Sequence, residues 1–169
     1  MLVIKNQKGI FQLRTAGIVK KGEKILLLNE PHVSYWFLPG GRVEMHESTK
    51  ETLERELLEE MNAKAEIGNL IWIIENFFPF NGAPFHEIGF YYEVKIPSDH
   101  PINSRDEFHF QREEDGKIKK FHFKWFSQNE LLSMDIRPKC LKNKLLSDSK
   151  DFELIVYKED SLENNLKDQ

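Results

Sequence analysis

Residues 40–63 read GGRVEMHESTKETLERELLEEMNA, and this stretch decides the fold. Apolar side chains recur in it at every fourth position, which is the spacing of one face of a helix. They are Leu53, Leu57 and Met61. Ser48 and Glu51 have the spacing of a capping box, and Asn62 suits the left-handed position that follows a helix. The segment therefore predicts a helix over residues 48–61 with one face packed on a core.

Three glutamates lie beside this apolar stripe. Glu56, Glu59 and Glu60 are related by steps of three and four residues, so they share an arc of roughly 100° on the helix. Like charges at this spacing repel each other, and a hard divalent cation would reverse that cost because it prefers oxygen ligands. Acidic helix faces are also common as plain solvated surface. The helix alone leaves both interpretations open.

The residues that flank the acidic arc favour a metal site. The segment at Gly40 and Gly41 can bring backbone close to the carboxylates, and a carbonyl oxygen there could join a metal shell. Glu47 precedes the helix cap, where the helix N-terminus stabilises a carboxylate. Arg55 could hold one of the carboxylates or bind a phosphate through its planar guanidinium. These groups together indicate metal-dependent phosphate chemistry.

The whole segment resembles the Nudix box. That box has Gly, five residues, Glu, seven residues, Arg-Glu, an apolar residue, any residue, Glu-Glu, any residue, Gly and an apolar residue, and the chain follows it from Gly41 to Ala63. One position differs, because the last box glycine is Asn62 here. Asparagine enters the left-handed region more readily than most residues. We therefore expect a small loss of stability and no loss of function.

The resemblance to the Nudix family implies both a fold and an activity. Nudix proteins are α+β proteins with an α/β/α sandwich around a mixed, partly antiparallel sheet. They hydrolyse a nucleoside diphosphate linked to another moiety, and they use Mg²⁺, with Mn²⁺ as an alternative. The implied enzyme is a hydrolase that acts on acid anhydrides in phosphorus-containing compounds, and its partner is a small-molecule nucleotide derivative.

Carried over by position, the resemblance assigns roles to individual residues. The implied metal-binding groups are the carboxylates of Glu56, Glu59 and Glu60 and the carbonyl of Gly40. Arg55 would orient Glu56, and Glu47 would stabilise the junction between the loop and the helix. The predicted catalytic residues are Glu56, Arg55 and Glu59.

The general base that removes a proton from the attacking water has two kinds of candidate. Glu56 is the favoured residue. A glutamate from a later loop is the alternative, and Glu113 or Glu114 near the tip of a second hairpin could supply it. The competing interpretation of these two residues is surface charge beside a turn.

Segments rich in apolar and β-branched residues predict strands on both sides of the helix. They cover residues 12–19, 24–28, 65–78, 87–96 and 153–157. The first two form a hairpin around residues 20–23. Residues 39–41 are predicted to be a turn or loop. A C-terminal helix is predicted to begin near Gln128 or Pro138 and to end at about residue 146.

A second hairpin is predicted around the turn at Asp115 and Gly116. Counting outward from this turn predicts two aromatic cross-strand pairs. They are Phe110 with Phe121 and Phe108 with Phe123. Lys119 belongs to a basic patch on this hairpin that we interpret as solvated surface, with phosphate or RNA binding as the alternative.

Five residues are candidates for substrate binding. They are Arg14, Trp36, Phe37, Glu47 and Tyr91. The aromatic rings could stack on a nucleobase, although aromatic residues on strands more often pack in a core. The dipeptide His86-Glu87 opens a strand beside a Pro/Gly loop and is a candidate for the rim of the cleft.

The substrate is predicted from one further feature. Pro79 lies sixteen residues beyond Ala63, which is similar to a proline downstream of the box in ADP-sugar pyrophosphatases of the family. This favours ADP-ribose or another nucleoside diphosphate sugar, with the segment 77–80 as a substrate loop. The alternatives are a nucleoside triphosphate pyrophosphohydrolase and a non-catalytic Nudix-fold sensor that binds nucleotide.

Bulk properties fit this enzyme. The 169 residues suffice for a single domain over 1–169, with a tail at about 159–169 that we expect to be disordered. The net charge of −4 gives no general attraction to nucleic acid or to an anionic membrane, so neither is an expected partner. No signal-like segment is apparent and Cys140 is the single cysteine, which predicts a cytoplasmic protein. A homodimer is compatible with the sequence.

Overall fold

The computed structural model describes residues 1–114, 116–147 and 151–159, apart from the side chains of Glu114 and Lys117. Its nine strands are β1 (Val3–Asn6), β2 (Gly9–Lys21), β3 (Lys24–Asn29), β4 (Gly40–Arg42), β5 (Glu66–Phe80), β6 (Ala83–Lys95), β7 (Glu107–Glu114), β8 (Lys117–Phe126) and β9 (Glu153–Lys158) in the described residues. The helices are α1 (Thr49–Met61), α2 (Gln128–Ser133), α3 (Cys140–Leu146) and a 3₁₀ turn at Pro101–Ser104.

The strands form one mixed sheet, as predicted. Their order is β7-β8-β3-β2-β6-β5-β9, with β1 and β4 paired to β2. The pairs β2–β6 and β5–β9 are parallel, and the other pairs are antiparallel. Two separate apolar cores cover the sheet. One contains Leu53 and Leu57 of α1, and the other contains Leu131 of α2 and Leu141 of α3. Helices therefore pack against both cores, which confirms the α/β/α sandwich.

Helix α1 has the caps that its sequence predicts. Ser48 accepts a hydrogen bond from the backbone of Glu51, and the Glu51 side chain accepts one from the backbone of Ser48. At the other end Asn62 has φ 55° and ψ 34°, which is the left-handed conformation. The apolar stripe is buried, because Leu53 and Leu57 are fully inaccessible to solvent and Met61 is 3% exposed. The predicted helix is confirmed in its extent, its caps and its buried face.

Both predicted hairpins are confirmed, with one part of the second outside the described residues. The first pairs Lys21 with Lys24. In the second, Phe108 pairs with Phe123 and Phe110 with Phe121. Asp115, predicted to form its turn, is not among the described residues. The predicted last strand is present as β9.

Three local predictions are wrong. Residues 39–41 are not a turn, because Gly40–Arg42 forms β4 and pairs with β2. The segment 77–80 is not a loop, because β5 continues to Phe80 and pairs with β6 to the end of their hairpin. The prediction of one C-terminal helix is wrong in number, because helices begin at both predicted starts: α2 begins at Gln128, and α3 begins two residues after Pro138 and ends at Leu146 as predicted. Pro138 between them lacks the N–H that a continuous helix needs.

The segment between β6 and β7 contains the short 3₁₀ turn. The buried Ile102 anchors this turn, and its carbonyl accepts a hydrogen bond from the indole of Trp125. In the described part of the chain, no helix combines the length and the apolar character needed to span a bilayer.

Candidate active site

Strand β4 and helix α1 meet at two glycines that have no room for a side chain. A Cβ atom on Gly41 would lie 2.2 Å from the carboxyl carbon of Glu56. Gly40 has φ +140°, and a Cβ there would lie 2.3 Å from the carbonyl oxygen of Thr15. Glycine is therefore required at both positions. At Gly41 it leaves room for the carboxylate of Glu56, and at Gly40 it allows close pairing with β2.

Glu60 is a buried carboxyl group next to this strand. It is 4% exposed, and the amide of Gly40 donates a hydrogen bond to its Oε2 at 3.3 Å. Burial, together with the negative charge of Glu56, raises the pKa of Glu60 to about 8. The guanidinium groups of Arg14 and Arg112 oppose this rise. A proton must leave such a group before it can bind a cation at neutral pH.

Arg55 holds Glu47 and Glu56 together. Its Nε and Nη2 donate to the two oxygens of Glu47 at 2.8 and 3.0 Å, and its Nη1 donates to Oε1 of Glu56 at 3.0 Å. Thr52 adds a hydrogen bond to Glu47 at 2.9 Å. The Arg55 contact lowers the pKa of Glu47 to about 2. This bidentate geometry allows Arg55 to fix the carboxylate of Glu56 in one orientation.

Arg112 of β7 is a second cation at the acidic arc, and the sequence did not predict it. Its Nη1 pairs with Oε2 of Glu59 and lies 3.6 Å from Oε2 of Glu56. Glu59 also lies 3.5 Å from Nη1 of Arg55, and its side chain is 41% exposed. Arg112 lies 53 residues from Glu59 in the chain. Local sequence patterns carry no signal for this contact, which depends on how the second hairpin sits against α1.

A cavity of about 600 Å³ opens beside the glycines and the buried carboxyl groups. Residues singled out in the sequence line it, among them Arg14, Phe37, Gly40, Gly41, Glu56, Glu60, Pro79, Glu87 and Tyr91. Lys119 of the basic patch lines it as well. Polar residues that the sequence did not single out also line it, among them Gln12, Asn76, Arg112 and Arg137. The cavity therefore joins the acidic helix to a cationic and polar wall.

Arg14 and Tyr91 occupy defined places in this cavity. Arg14 lies over the ring of Phe37 at 5.4 Å, and its Nη2 is 3.5 Å from the carbonyl oxygen of Gly40. Tyr91 is 3% exposed, and burial raises the pKa of its hydroxyl above the usual range. Its ring lies over Gly89, where a Cβ atom would come within 2.8 Å of it.

Other predicted residues lie elsewhere. Trp36 is half-buried and packs edge-on against Phe126 of an apolar core, with ring centroids 4.8 Å apart. Glu47, Arg55 and Glu59 are not among the residues that line the cavity. Of the dipeptide predicted for the cleft rim, Glu87 lines the cavity. Its neighbour His86 lies on the other face of the sheet.

Comparison with known families identifies a NUDIX domain over residues 11–145. The chain belongs to the Nudix hydrolase family. A putative 8-oxo-dGTP diphosphatase of Bacillus subtilis (strain 168) is 36% identical over 58 residues. The match spans 34% of this chain and only 39% of that relative.

Solved structures share the Nudix fold. The MutT protein of Bacillus halodurans superposes with a TM-score of 0.54 at 23% identity, over 87% of this chain and 89% of that one. An ADP-ribose pyrophosphatase of Streptococcus suis superposes with a TM-score of 0.54 at 17% identity, over 86% and 98%. These likenesses show the common fold.

Nudix hydrolases use divalent metal ions, and the donor groups of this chain suit one. The oxygens of Glu56 and Glu60 converge on the two glycines of β4, and hard cations prefer such oxygen donors. Within the described residues no three His, Cys, Asp or Glu side chains are arranged closely enough to hold a metal ion as they stand. Glu59 instead contacts the two arginines. Binding of one cation by all three carboxylates would therefore require Glu59 to leave the two arginines.

Proposed function

We propose that this Nudix hydrolase cleaves the phosphoanhydride bond of a nucleoside diphosphate linked to another moiety, with Mg²⁺ or Mn²⁺ as its cofactor. One observation carries the proposal. Helix α1 places Glu56 and Glu60 against the glycine strand at a cavity of about 600 Å³. A bound divalent cation would neutralise the phosphate oxygens and lower the pKa of a water molecule. Glu56, Glu59, Glu60 and the carbonyl of Gly40 would hold it.

The chain supplies further positive charge for the phosphates. The guanidinium groups of Arg14 and Arg112 and the side chain of Lys119 line the cavity. Guanidinium groups bind phosphate oxygens through paired N–H donors. This local cluster gives an acidic protein the charge that a pyrophosphate requires.

Glu56 is the general base that the geometry supports best. It is 7% exposed, lines the cavity, and is held by Arg55 at one oxygen. A base must lie within hydrogen-bond reach of the water that it deprotonates, and a fixed carboxylate at the metal site meets this condition. Glu113 is exposed and is not among the cavity-lining residues. The side chain of Glu114 lies outside the described residues.

The predicted substrate class is ADP-ribose or another nucleoside diphosphate sugar. This substrate class is predicted from Pro79. The proposal is supported because Pro79 lines the cavity together with Phe78 and Phe80. A nucleoside triphosphate is the second candidate, and the partial match to a putative 8-oxo-dGTP diphosphatase favours it. The cytoplasmic location, the single domain and the homodimer stay predictions from the sequence.

The test is hydrolysis of a nucleotide panel with Mg²⁺, with Mn²⁺ and with chelator. We expect metal-dependent cleavage within a pyrophosphate link and loss of turnover in Glu56→Gln. The matched control is Glu54→Gln, since Glu54 is an exposed residue of the same helix. If nucleotide binds but no substrate is cleaved with either metal, the chain is a nucleotide sensor and the proposal is wrong.

A further inference from the structure

A row of three buried polar side chains crosses the sheet at the wall of the cavity. Gln12 of β2 pairs in register with Glu87 of β6, which pairs in register with Asn76 of β5. Their exposed fractions are 4%, 5% and 5%, and all three line the cavity. Burying polar groups is costly unless hydrogen bonds satisfy them. The metal and phosphate chemistry described above makes no use of this row.

Hydrogen bonds along the row determine the orientation of the Gln12 amide and show that Glu87 acts as an acceptor. Arg42 donates from Nε to Oε1 of Gln12 at 2.8 Å. A guanidinium can only donate, so the amide oxygen of Gln12 must face Arg42 and its NH₂ group must face Glu87. That NH₂ group donates to Oε2 of Glu87. Glu87 is therefore held as a hydrogen-bond acceptor by a chain of oriented partners.

Asn76 adds an acceptor that has no partner. Its Oδ1 is fully buried and makes no hydrogen bond in the described part of the chain. Nearly all buried polar atoms in proteins are hydrogen-bonded, so an exception at the wall of a cavity indicates a group that a ligand satisfies. The wall thus presents two neighbouring acceptors, one from Glu87 and one from Asn76.

Aromatic side chains surround this pair of acceptors. Phe78 and Phe85 stack with ring centroids 5.2 Å apart, and Phe80 meets Phe85 edge-on at 5.8 Å. All three line the same cavity. Aromatic walls around a polar row suit a flat ring that has a polar edge.

We infer that Glu87 and Asn76 receive the exocyclic amino group of the substrate's nucleobase. This inference rests on the proposed function, because it requires a nucleotide in the cavity. An amino group carries two N–H donors and can satisfy two adjacent acceptors. A carbonyl oxygen in its place would face the oxygens of Glu87 and Asn76 and could donate to neither of them. Adenine and guanine meet the requirement, whereas hypoxanthine does not.

The test compares purine bases that carry an exocyclic amino group with hypoxanthine, which has none. The pairs are ADP-ribose against its hypoxanthine counterpart, ATP against ITP and GTP against ITP, each by kcat/KM. We expect a preference of about tenfold or more for the amino-bearing base in at least one pair, because a site built for a donor rejects an analogue that lacks it. The adenine and guanine pairs distinguish the two sources of the amino group. Ratios within twofold in every pair would overturn the inference.

A binding measurement distinguishes failure of this inference from failure of the proposed function. Calorimetry with AMP, GMP and IMP needs no turnover. If nothing is hydrolysed but AMP or GMP binds about tenfold more tightly than IMP, the recognition holds and the proposed activity fails. If hydrolysis proceeds with no preference, the activity holds and the recognition fails. Equal affinities for the three monophosphates, or no binding of any, also count against the inference.

Two variants test the residues. Glu87→Gln offers a donor in place of an acceptor and should reduce the preference for the amino group or reverse it. Asn76→Ala removes an acceptor with no partner in the described chain, so the preference should fall without loss of melting temperature. The matched control is Glu75→Gln, because Glu75 points to the opposite face, where its Oε1 lies 2.9 Å from Nε2 of His86. An unchanged preference in folded Asn76→Ala and Glu87→Gln would refute the assignment.

Discussion

At the scale of single residues, Glu60 is an almost completely buried carboxyl group that the proposed reaction needs in its charged form. Its carboxyl group contacts the amide of Gly40 and lies at the end of the acidic arc. Glu60→Gln keeps the shape and removes the charge, so we expect folding to persist and kcat at saturating Mg²⁺ to fall by about two orders of magnitude or more. Near-normal turnover in this variant would show that Glu60 does not hold the metal.

Glu60 also makes the stability of the chelated protein depend on pH. Its pKa is about 8 in the folded protein, against an ordinary value of 4.5. Between these two values the folded state holds a proton that the unfolded state has lost, so stability falls as pH rises through this window. We expect the melting temperature in chelator to fall between pH 5 and about pH 8.5. The melting temperature of Glu60→Gln should fall less over the same pH range. Identical pH dependence in the two proteins would show that Glu60 is not the group responsible.

Asn62 is the residue where the chain departs from the Nudix box. It holds the left-handed conformation at φ 55°, and its N–H caps the helix by donating to the carbonyls of Leu57 and Leu58. Glycine has no Cβ penalty there, so Asn62→Gly should be neutral or stabilising. Asn62→Val should lower the free energy of unfolding by about 1 kcal/mol or more. Urea unfolding measures both, and equal midpoints would mean that the cap conformation does not limit stability.

At the scale of elements, α1 could be predicted and the neighbouring strand β4 could not. The helix is encoded locally, because its stripe, capping box and left-handed cap all lie within residues 48–62. Strand β4 is different, since three residues with two glycines give no strand periodicity. Only the pairing of its three residues with β2 makes it a strand. The end of β5 was hidden in the same way by Pro79, which usually signals a loop.

Strand β7 brings Arg112 to the acidic arc, and this contact has two opposite consequences. Arg112→Gln removes a positive charge that lies 3.6 Å from Glu56, so the carboxylates should attract a cation more strongly and Mn²⁺ affinity should rise by roughly threefold or more. The phosphates lose a guanidinium, so KM for the nucleotide should rise. Calorimetry measures the Mn²⁺ affinity, and steady-state kinetics measure the KM for the nucleotide. Lys120→Gln is the control, since Lys120 is an exposed residue of the partner strand β8. A weaker metal affinity in Arg112→Gln would contradict this argument.

At the scale of the whole molecule, the cavity depends on contacts that no sequence window contains. Gln12, Asn76 and Glu87 come from three strands and meet only through the sheet register. The sequence indicated the acidic helix because its spacing is local, and it indicated Glu87 only through its place beside a loop. Trp36 follows the interpretation that aromatic residues on strands more often pack, since it lies half-buried against an apolar core.

Substrate choice depends on the whole molecule, because the cavity walls come from several elements. Under the proposed function, the residues of α1 would hold the metal-bound pyrophosphate, and the cavity walls would determine which groups can be attached to it. Pro79 and its phenylalanine neighbours form part of those walls. We therefore expect ADP-ribose to be cleaved at least as well as any nucleoside triphosphate, with kcat/KM as the measure because discrimination is a ratio of these values. The products should be AMP and ribose 5-phosphate, because cleavage falls within the bridging pyrophosphate. If dATP or dGTP is turned over about tenfold faster, or releases pyrophosphate while ADP-ribose stays intact, the walls of this cavity select a triphosphate.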